Sequence, residues 1–465
     1  MRAVQTIWRH LALALAALGL LTASPATAQD TRSRVLVLTD IGNEPDDAES
    51  MVRFLVYANA FDIEGLLATT SRHQRTTVRP DMIRQRVAAY GEVLPNLRAH
   101  ADGWPSAEAL DALIVSGRAE YGMAGVGEGK DTDASRRIIE VVDADDARPV
   151  WVLVWGGAVD LAQALWTVRE TRTPEQVEAF VAKLRVYSIS DQDDAGPWVR
   201  RYFPDVFWIV SLHAHRHYML ATWTGISGEG MYRFEGPDPA LVSNEWLETN
   251  IRRGTLGALY PPWTFIMEGD TPSFLYLIPN GLGLPERPDY GSWGGRYGRV
   301  SAWDNIWTDI SDLVVDRNGV TRQTGQATIW RWREAYQNDF AARIGWTLSP
   351  DRAAGNHAPT LVLNGEVGIA PVRLSARPGD VVRLDAAGSA DPDGDMVTYR
   401  WWQYRDAAAT NRNPEGALSA AEGGATAFTV PAVGEPLELH VVLEARDGGT
   451  PALYSYRRAV ISVTP

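Results

Sequence analysis

The stretch 35-VLVLTDIGNEPDDAESMVRFLVY-57 decides how this chain is read: an apolar run stops at Asp40, and four acids, Asp40, Glu44, Asp46 and Asp47, fall within eight positions. The run from Arg34 to Asp40 is too short for a buried helix and is rich in Val and Leu, which predicts a strand covered on both faces. From Asp47 to Ala60 the spacing of Met51, Leu55 and Ala58 predicts an amphipathic helix. Asp40 therefore ends a strand, and Asp46 and Asp47 open the next helix, where the dipole favours carboxylates. A capping role for Asp46 or Asn43 accounts for one polar group, not for four acids. Carboxylates sharing so small a volume repel unless a cation neutralises them, and hard oxygen ligands favour Ca²⁺ or Mg²⁺.

The same alternation continues outward. "IEGLLATTS" (63–71), "PVWVLVWGG" (149–157), "LRVYSIS" (184–190) and "VFWIVSLH" (206–213) read as further buried strands. Between them, "TPEQVEAFVAKL" starts a helix with Thr173 as N-cap, Pro174 at the first position and Gln176 closing a capping box. Strand and helix in alternation predict an α/β fold, a doubly wound and mainly parallel sheet. Ligands of such sheets bind beyond the carboxyl ends of the strands. The residues there are Asp40, Thr70 and Ser71, Trp155 with Gly156 and Gly157, Ser190 and Asp191, and His213.

Composition sets the surroundings. Residues 1–28 carry Arg2 and Arg9, an apolar run from Leu11 to Leu21, and small residues at Ala26 and Ala28. This reads as a cleavable signal peptide, and so as a secreted or periplasmic protein with no membrane anchor. The net charge of −14 disfavours nucleic acid as a partner. With no cysteine there are no disulfides and no thiolate metal sites, so stability rests on packing.

The stretch 35–71, together with "ATWTGISGE", "EGDTPSFLYLIPNGLGLPERP" and "GSWGGRYGR", resembles the nucleoside hydrolases and, more closely, the nucleoside-hydrolase-like proteins of the cellulose-binding Sde182 type. The resemblance spans nearly all of the chain after residue 28. It implies calcium-assisted cleavage of a glycosidic bond. In that pattern Asp40 binds Ca²⁺ and activates water, Asp47 is a metal ligand and Asp46 holds sugar hydroxyls. The backbone carbonyl of Trp155 is a further ligand, and a late acid completes the shell: Asp270, with Glu268 as the alternative. Two departures stand out. Five residues rather than three separate Asp40 from the acidic pair, which brings Asn43 and Glu44 into reach of the shell or the substrate. Gly269 stands where the nucleoside hydrolases commonly have a histidine.

Other clusters extend the expected site. Ser71 at a strand end is a candidate sugar contact. In "SISDQDDAGPW", Asp191 and Asp194 read as sugar contacts beside Asp193, against a plain acidic loop. His213, His215 and His217, spaced by two, read as a zinc site, as a substrate contact centred on His213, or as structural. Among eighteen tryptophans, mostly core, Trp223 and Trp293 are expected to line a cleft, with Arg296 offering a fork of donors. The glycines from 291 to 298 fit neither phosphate-loop pattern.

The boundaries read as an α/β domain over 29–346, a linker over 347–360 and a smaller all-β sandwich over 361–465, resembling Ig-like or PKD-like modules. Its "DPDGD" (391–395) is a tight acidic turn or a Ca²⁺ loop, and of Trp401 and Trp402 one is core and one exposed. Two function classes follow: a calcium-dependent hydrolase of a nucleoside, furanoside or plant-wall glycan with Asp40 as base, and a non-catalytic binder of cellulose or another cell-wall polysaccharide on the same fold.

Overall fold

A computed structural model describes residues 32–213, 217–409 and 411–465. The signal-peptide reading of residues 1–28 and the side chain of His215 lie outside them. Among the described residues no helix is long and apolar enough to cross a membrane.

Strand β1 (Ser33–Thr39) runs through the middle of the first half and is buried from Arg34 onward. Its side chains alternate between two cores. Val35 and Val37 meet Phe54, Leu55 and Tyr90 on one face. Leu36 and Leu38 meet Ile138, Val142, Leu161 and Leu165 on the other. Each such side chain contributes roughly 1.5–3 kcal/mol relative to exposure, which explains why the strand reads as an unbroken apolar run.

The remaining strands are β2 (Phe61–Ala68), β3 (Ile114–Ser116), β4 (Val150–Val154), β5 (Leu184–Ser190), β6 (Phe207–Ser211), β7 (Tyr297–Arg299) and β8 (Ile306–Asp309). They form one sheet in the order β3-β2-β1-β4-β5-β6-β8-β7, parallel throughout except at the β8–β7 edge. From β1 the chain winds outward through β2 and β3, then returns to place β4 on the other side of β1. The reversal lies between β1 and β4, the crevice where open sheets bind ligands. Asp40 and Trp155 follow those two strands.

The capping box at Thr173 and Gln176 forms with Pro174 inside it. The helix opened by the acidic stretch, α1, runs over Asp46–Leu55 and stops earlier than its periodicity predicts. The N–H groups of Val56 and Tyr57 turn back to the carbonyls of Arg53 and Phe54, and a short turn at Ala58–Ala60 leads directly into β2. Between β6 and β7 the chain makes a long excursion of short helical turns, with no periodicity to announce it.

A hairpin, β9 (Asp312–Val315) and β10 (Thr321–Thr324), and the helix Arg333–Leu348 close the first half. Thr347 and Leu348 still belong to that helix, so the segment read as a linker begins inside it. Asn356 and His357 are buried, and His357 lies 3.2 Å from His100 and 2.9 Å from Asp393. The connection is packed rather than loose.

The second half places β11 (Val372–Ala376), β13 (Thr398–Gln403), β16 (Leu437–Arg446) and β17 (Tyr454–Val463) in one sheet. The strands β12 (Val381–Asp385), β14 (Ala417–Leu418) and β15 (Ala425–Thr429) form the other. Pairing is antiparallel except between β11 and β17. Trp401 lies in the sandwich core, and Trp402 packs across the junction against Trp332. "DPDGD" is a tight turn in which Asp391 accepts from the N–H groups of Asp393 and Asp395. Arg32 to Pro465 form one compact unit.

Candidate functional site

Thr39, the last residue of β1, donates its hydroxyl to Asp47 and accepts from the N–H of Ile41 at 3.1 Å. This small knot fastens the strand end to the first turn of α1. The N-cap is Pro45 and no side chain caps the helix, so Asp46, Asn43 and their neighbours are not spent on capping. Asp270 arrives from the long excursion, and one oxygen each of Asp46, Asp47 and Asp270 lie within 4.8 Å of one another. Asp40 sits behind them against Gly156, where a Cβ would come within 2.6 Å of its carboxylate.

The electrostatics of this cluster are one-sided. Asp40, Asp47 and Asp270 are 5% exposed or less. Burial pushes Asp40 up, although a hydrogen bond from Ser71 opposes the shift. Burial and then repulsion from Asp40 push Asp46 up to about 7. Burial and the charges of Asp46 and Asp40 push Glu44 up to about 8. Asp47 and Asp270 are raised well above the carboxylate range by burial and by the same neighbours. Among the described residues, buried oxygens of Asp40, Glu44, Asp46 and Asp270 have no hydrogen-bond partner. Arg86, whose charge reaches Asp47, is itself spent on the carbonyls of Ala48, Met82 and Leu259.

A cleft of about 470 Å³ opens in front of the acids. Asn43, Glu44, Asp46 and Asp270 line one side; Tyr218, Trp223, Tyr232 and the exposed Met231 and Phe265 line the other. Trp223 is fixed by an indole N–H donated to Ser190 at 3.1 Å and by the edges of Tyr218 and Tyr232. Gly269 is required for space: a Cβ there would stand 2.8 Å from Asp46 and 3.2 Å from the Trp223 ring. At the position where the nucleoside-hydrolase pattern has a histidine, any side chain would displace Asp46 or press on the Trp223 ring.

The carbonyl of Trp155 accepts from Gln192 at 2.7 Å, and its indole donates to Ser273 at 2.8 Å. Gln192 and His73, both on the cleft wall, were not singled out from the sequence. The hydroxyl of Ser71 accepts from the N–H groups of His73 and Gln74, folding that strand end against Asp40.

Several expected contacts lie elsewhere. Trp293 does not line the cleft; it is buried and meets Tyr456 of the sandwich edge-on at 6.4 Å. Arg296 is buried too and pairs with Asp312 at 2.6 Å. Asp191 is held by Arg200 through two bonds of 2.7 and 2.9 Å, and Asp194 accepts from the N–H of Met123. The acid of that loop that turns inward is Asp193, 5% exposed, raised to about 7 by burial, with one oxygen unpartnered. His213 lies 2.6 Å from Asp309, away from the cleft lining, and His217 is exposed. Glu268 is not beside the cluster's free oxygens: Arg53 lies 2.8 Å from it and Tyr260 donates to it at 2.6 Å.

Comparison with known proteins gives these geometries a family. The model of the family described as cellulose-binding Sde182, nucleoside hydrolase-like domain, matches residues 34–297. That of the C-terminal domain of the cellulose-binding protein Sde0182 matches residues 381–463. A nucleoside hydrolase-related hypothetical protein from Saccharophagus degradans, described as associated with carbohydrate metabolism, is 36% identical over 93% of this chain and all of its own, with a TM-score of 0.79. The type III effector XopQ, solved with adenosine diphosphate ribose, is 14% identical over 70% of this chain and 95% of its own, with a TM-score of 0.30, too low an overlap to carry an argument. No curated protein matches the chain by sequence. The chain belongs to the Sde182 family of nucleoside hydrolase-like proteins.

Proposed function

We propose that the protein is a calcium-dependent glycoside hydrolase acting on a neutral sugar substrate in the cleft at the β1–β4 crevice. The observation that carries this reading is the set of buried carboxylates that repel one another and leave oxygens unpartnered beside a cleft large enough for a sugar ring. A structural role for that many uncompensated acids is costly, because buried charges are ordinarily paired. The donor set fits Ca²⁺: the carboxylates of Asp46, Asp47 and Asp270, whose oxygens converge within 4.8 Å, with Asp40 and the carbonyl of Trp155 as further candidates, are hard oxygen ligands suited to an irregular shell. When bound, the ion neutralises the cluster and lowers the pKa of a neighbouring water.

The chain's own groups account for the rest of the chemistry. Water attacks the anomeric carbon, its proton passes to Asp40, and the glycosidic bond breaks with its electron pair leaving on the aglycone. Ser71 holds Asp40 by a hydrogen bond. Asp46 and Glu44 accept from sugar hydroxyls, and their charge stabilises the positive character that develops on the ring. Trp223 and Tyr218 offer flat faces to the apolar side of the sugar. Asn43 takes a hydroxyl at the mouth.

A second reading, a glycan binder without turnover, is favoured by the cellulose-binding description of both matching family models. Calorimetric titration with calcium, followed by release assays on nucleosides and oligosaccharides, separates the two. Hydrolysis predicts turnover that falls about 10²–10⁴-fold in Asp40→Asn. Calcium binding with no turnover by the parent protein supports the binder.

A further inference from the structure

We propose that Glu49 is the positioning residue for Asp270: from outside the cluster of metal-binding acids, it clasps the turn that carries Asp270 to helix α1. This deepens the calcium reading above and rests on it. Asp270 needs such a device because it arrives from the excursion after β6, a succession of short helical turns. The backbone just before it is strained. Glu268 stands in the left-handed region at φ 54°, a conformation that a residue with a side chain keeps only where its surroundings dictate it. The bonds that dictate it come from α1. Glu49 accepts the N–H of Glu268 at 2.9 Å, Arg53 lies 2.8 Å from the Glu268 carboxylate, and Ser50 accepts from the Thr271 hydroxyl at 3.1 Å. Glu49, Ser50, Arg53, Glu268 and Thr271 are all fully buried.

Spacing on α1 makes the clasp possible. Asp46, Glu49, Ser50 and Arg53 recur at helical intervals and form one stripe of the helix. Asp46, at its start, lines the cleft, and the other three hold the turn. The flanks of the turn are tied down as well. Ser227 bonds the carbonyl and the N–H of Met267 at 2.8 and 2.9 Å, Tyr260 donates to Glu268 at 2.6 Å, and Ser273 donates to the Asp270 carbonyl at 2.7 Å. The carboxylate of Asp270 is left beside Asp46 and Asp47 with one oxygen unpartnered. Glu49 is not one of the acids whose oxygens converge there, and it does not line the cleft. None of these bonds uses a carboxylate oxygen of Asp46, Asp47 or Asp270, so the clasp stands without the ion. Groups behind the ligands of a metal fix where those ligands point and are felt in its affinity.

The test compares two substitutions in the full-length chain. Glu49→Gln keeps an oxygen that accepts from Glu268 but carries no charge, and Glu49→Met fills the same space with no acceptor. In calorimetric titration Glu49→Met is expected to bind calcium about 10–100-fold more weakly than the parent, and Glu49→Gln within about twofold of it. In chelator, hydrogen exchange over residues 267–271 is expected to quicken about tenfold in Glu49→Met and to stay at the parental rate in Glu49→Gln. Where Glu49→Met does not fold, Ser50→Ala removes only the Thr271 bond and is expected to lower calcium affinity about threefold. Equal losses of affinity in Glu49→Gln and Glu49→Met overturn the inference, because they make Glu49 a charged ligand. So does parental affinity in Glu49→Met or Ser50→Ala, or an exchange rate that neither Glu49 variant moves. A parent that binds no calcium overturns the calcium reading instead, and the exchange rates then decide the clasp by themselves.

Discussion

At the junction of the two halves, Asp312 is buried between Arg296 at 2.6 Å and Arg331 at 2.7 Å, with the Tyr404 hydroxyl donating at 2.6 Å. At the carboxyl edge of the sheet, Asp40, Asp47 and Asp270 are buried and Asp46 half-buried, and among the described residues no arginine pairs with any of them. Burial opposes ionisation in both places. At the junction the arginines overcome it, and the Asp312 carboxyl falls below the usual range. At the sheet edge repulsion adds to it, and every carboxyl of the cluster rises. At the junction the chain itself supplies the cations that balance its buried carboxylate. At the sheet edge Arg86, whose charge reaches Asp47, is spent on backbone carbonyls, and the reading proposed above fills that gap with calcium.

The sharpest way to break that contrast is to remove one acid from each side. Asp312→Ala leaves two buried guanidinium groups unbalanced and is expected to destabilise the fold by about 3–5 kcal/mol, read by denaturant unfolding. Asp46→Asn removes one charge from a like-charged cluster. In calcium-free buffer at pH 8 it is expected to raise the thermal midpoint, and to weaken calcium binding in titration. Equal destabilisation by both substitutions would mean that the sheet-edge acids are structural after all.

The cluster was legible in the sequence because it hangs on local signals. A two-sided buried strand must stop at Asp40, and a helix of period 3.6 must start near Asp46, whatever packs around them. Asp270 was placed only through the family resemblance. The loop after β5 was harder. The β5–β6 register shifts between Ser188 and Ser190, so strand alternation does not carry into the loop, and Asp193, rather than Asp191 or Asp194, turns inward. Trp293 and Arg296 were misplaced for another reason. Their glycine-rich surroundings suggest a ligand-facing loop, yet their partners, Tyr456 and the Asp312–Tyr404 group, include a domain more than a hundred residues on. The aromatic side of the cleft comes from the excursion after β6, where no period exists to be read.

The second prediction sharpens the contrast through pH. Asp46 and Glu44 have folded-state values raised to about 7 and about 8, against ordinary values of 3.8 and 4.5. The folded state therefore binds more protons than the unfolded state between those limits, and stability falls as pH rises through that window. In chelator the thermal midpoint is expected to drop by several degrees from pH 5 to pH 8. Saturating calcium is expected to flatten that slope, and calcium affinity itself to rise with pH as the protons it displaces become fewer. Asp312, held low by its arginines, contributes nothing to that slope, so a chelated protein equally stable at both pH values would show that the cluster is relieved by something within the chain.

The smallest expected effect tests the packing that lets the acids meet. Gly269 sits two side-chain contacts deep, against Asp46 and the Trp223 ring. In Gly269→Ala the new methyl meets a carboxylate oxygen that can swing by a few tenths of an ångström and an indole that cannot, because Ser190, Tyr218 and Tyr232 hold it. Asp46 is thus the side that yields, turning away from Asp47 and Asp270. Calcium affinity is expected to fall roughly three- to tenfold, or about 0.7–1.4 kcal/mol, with little change in the unfolding of the chelated protein. An unchanged affinity would mean that Asp46 stands outside the shell and serves the sugar alone, which would then appear as weaker binding of the sugar with calcium affinity intact.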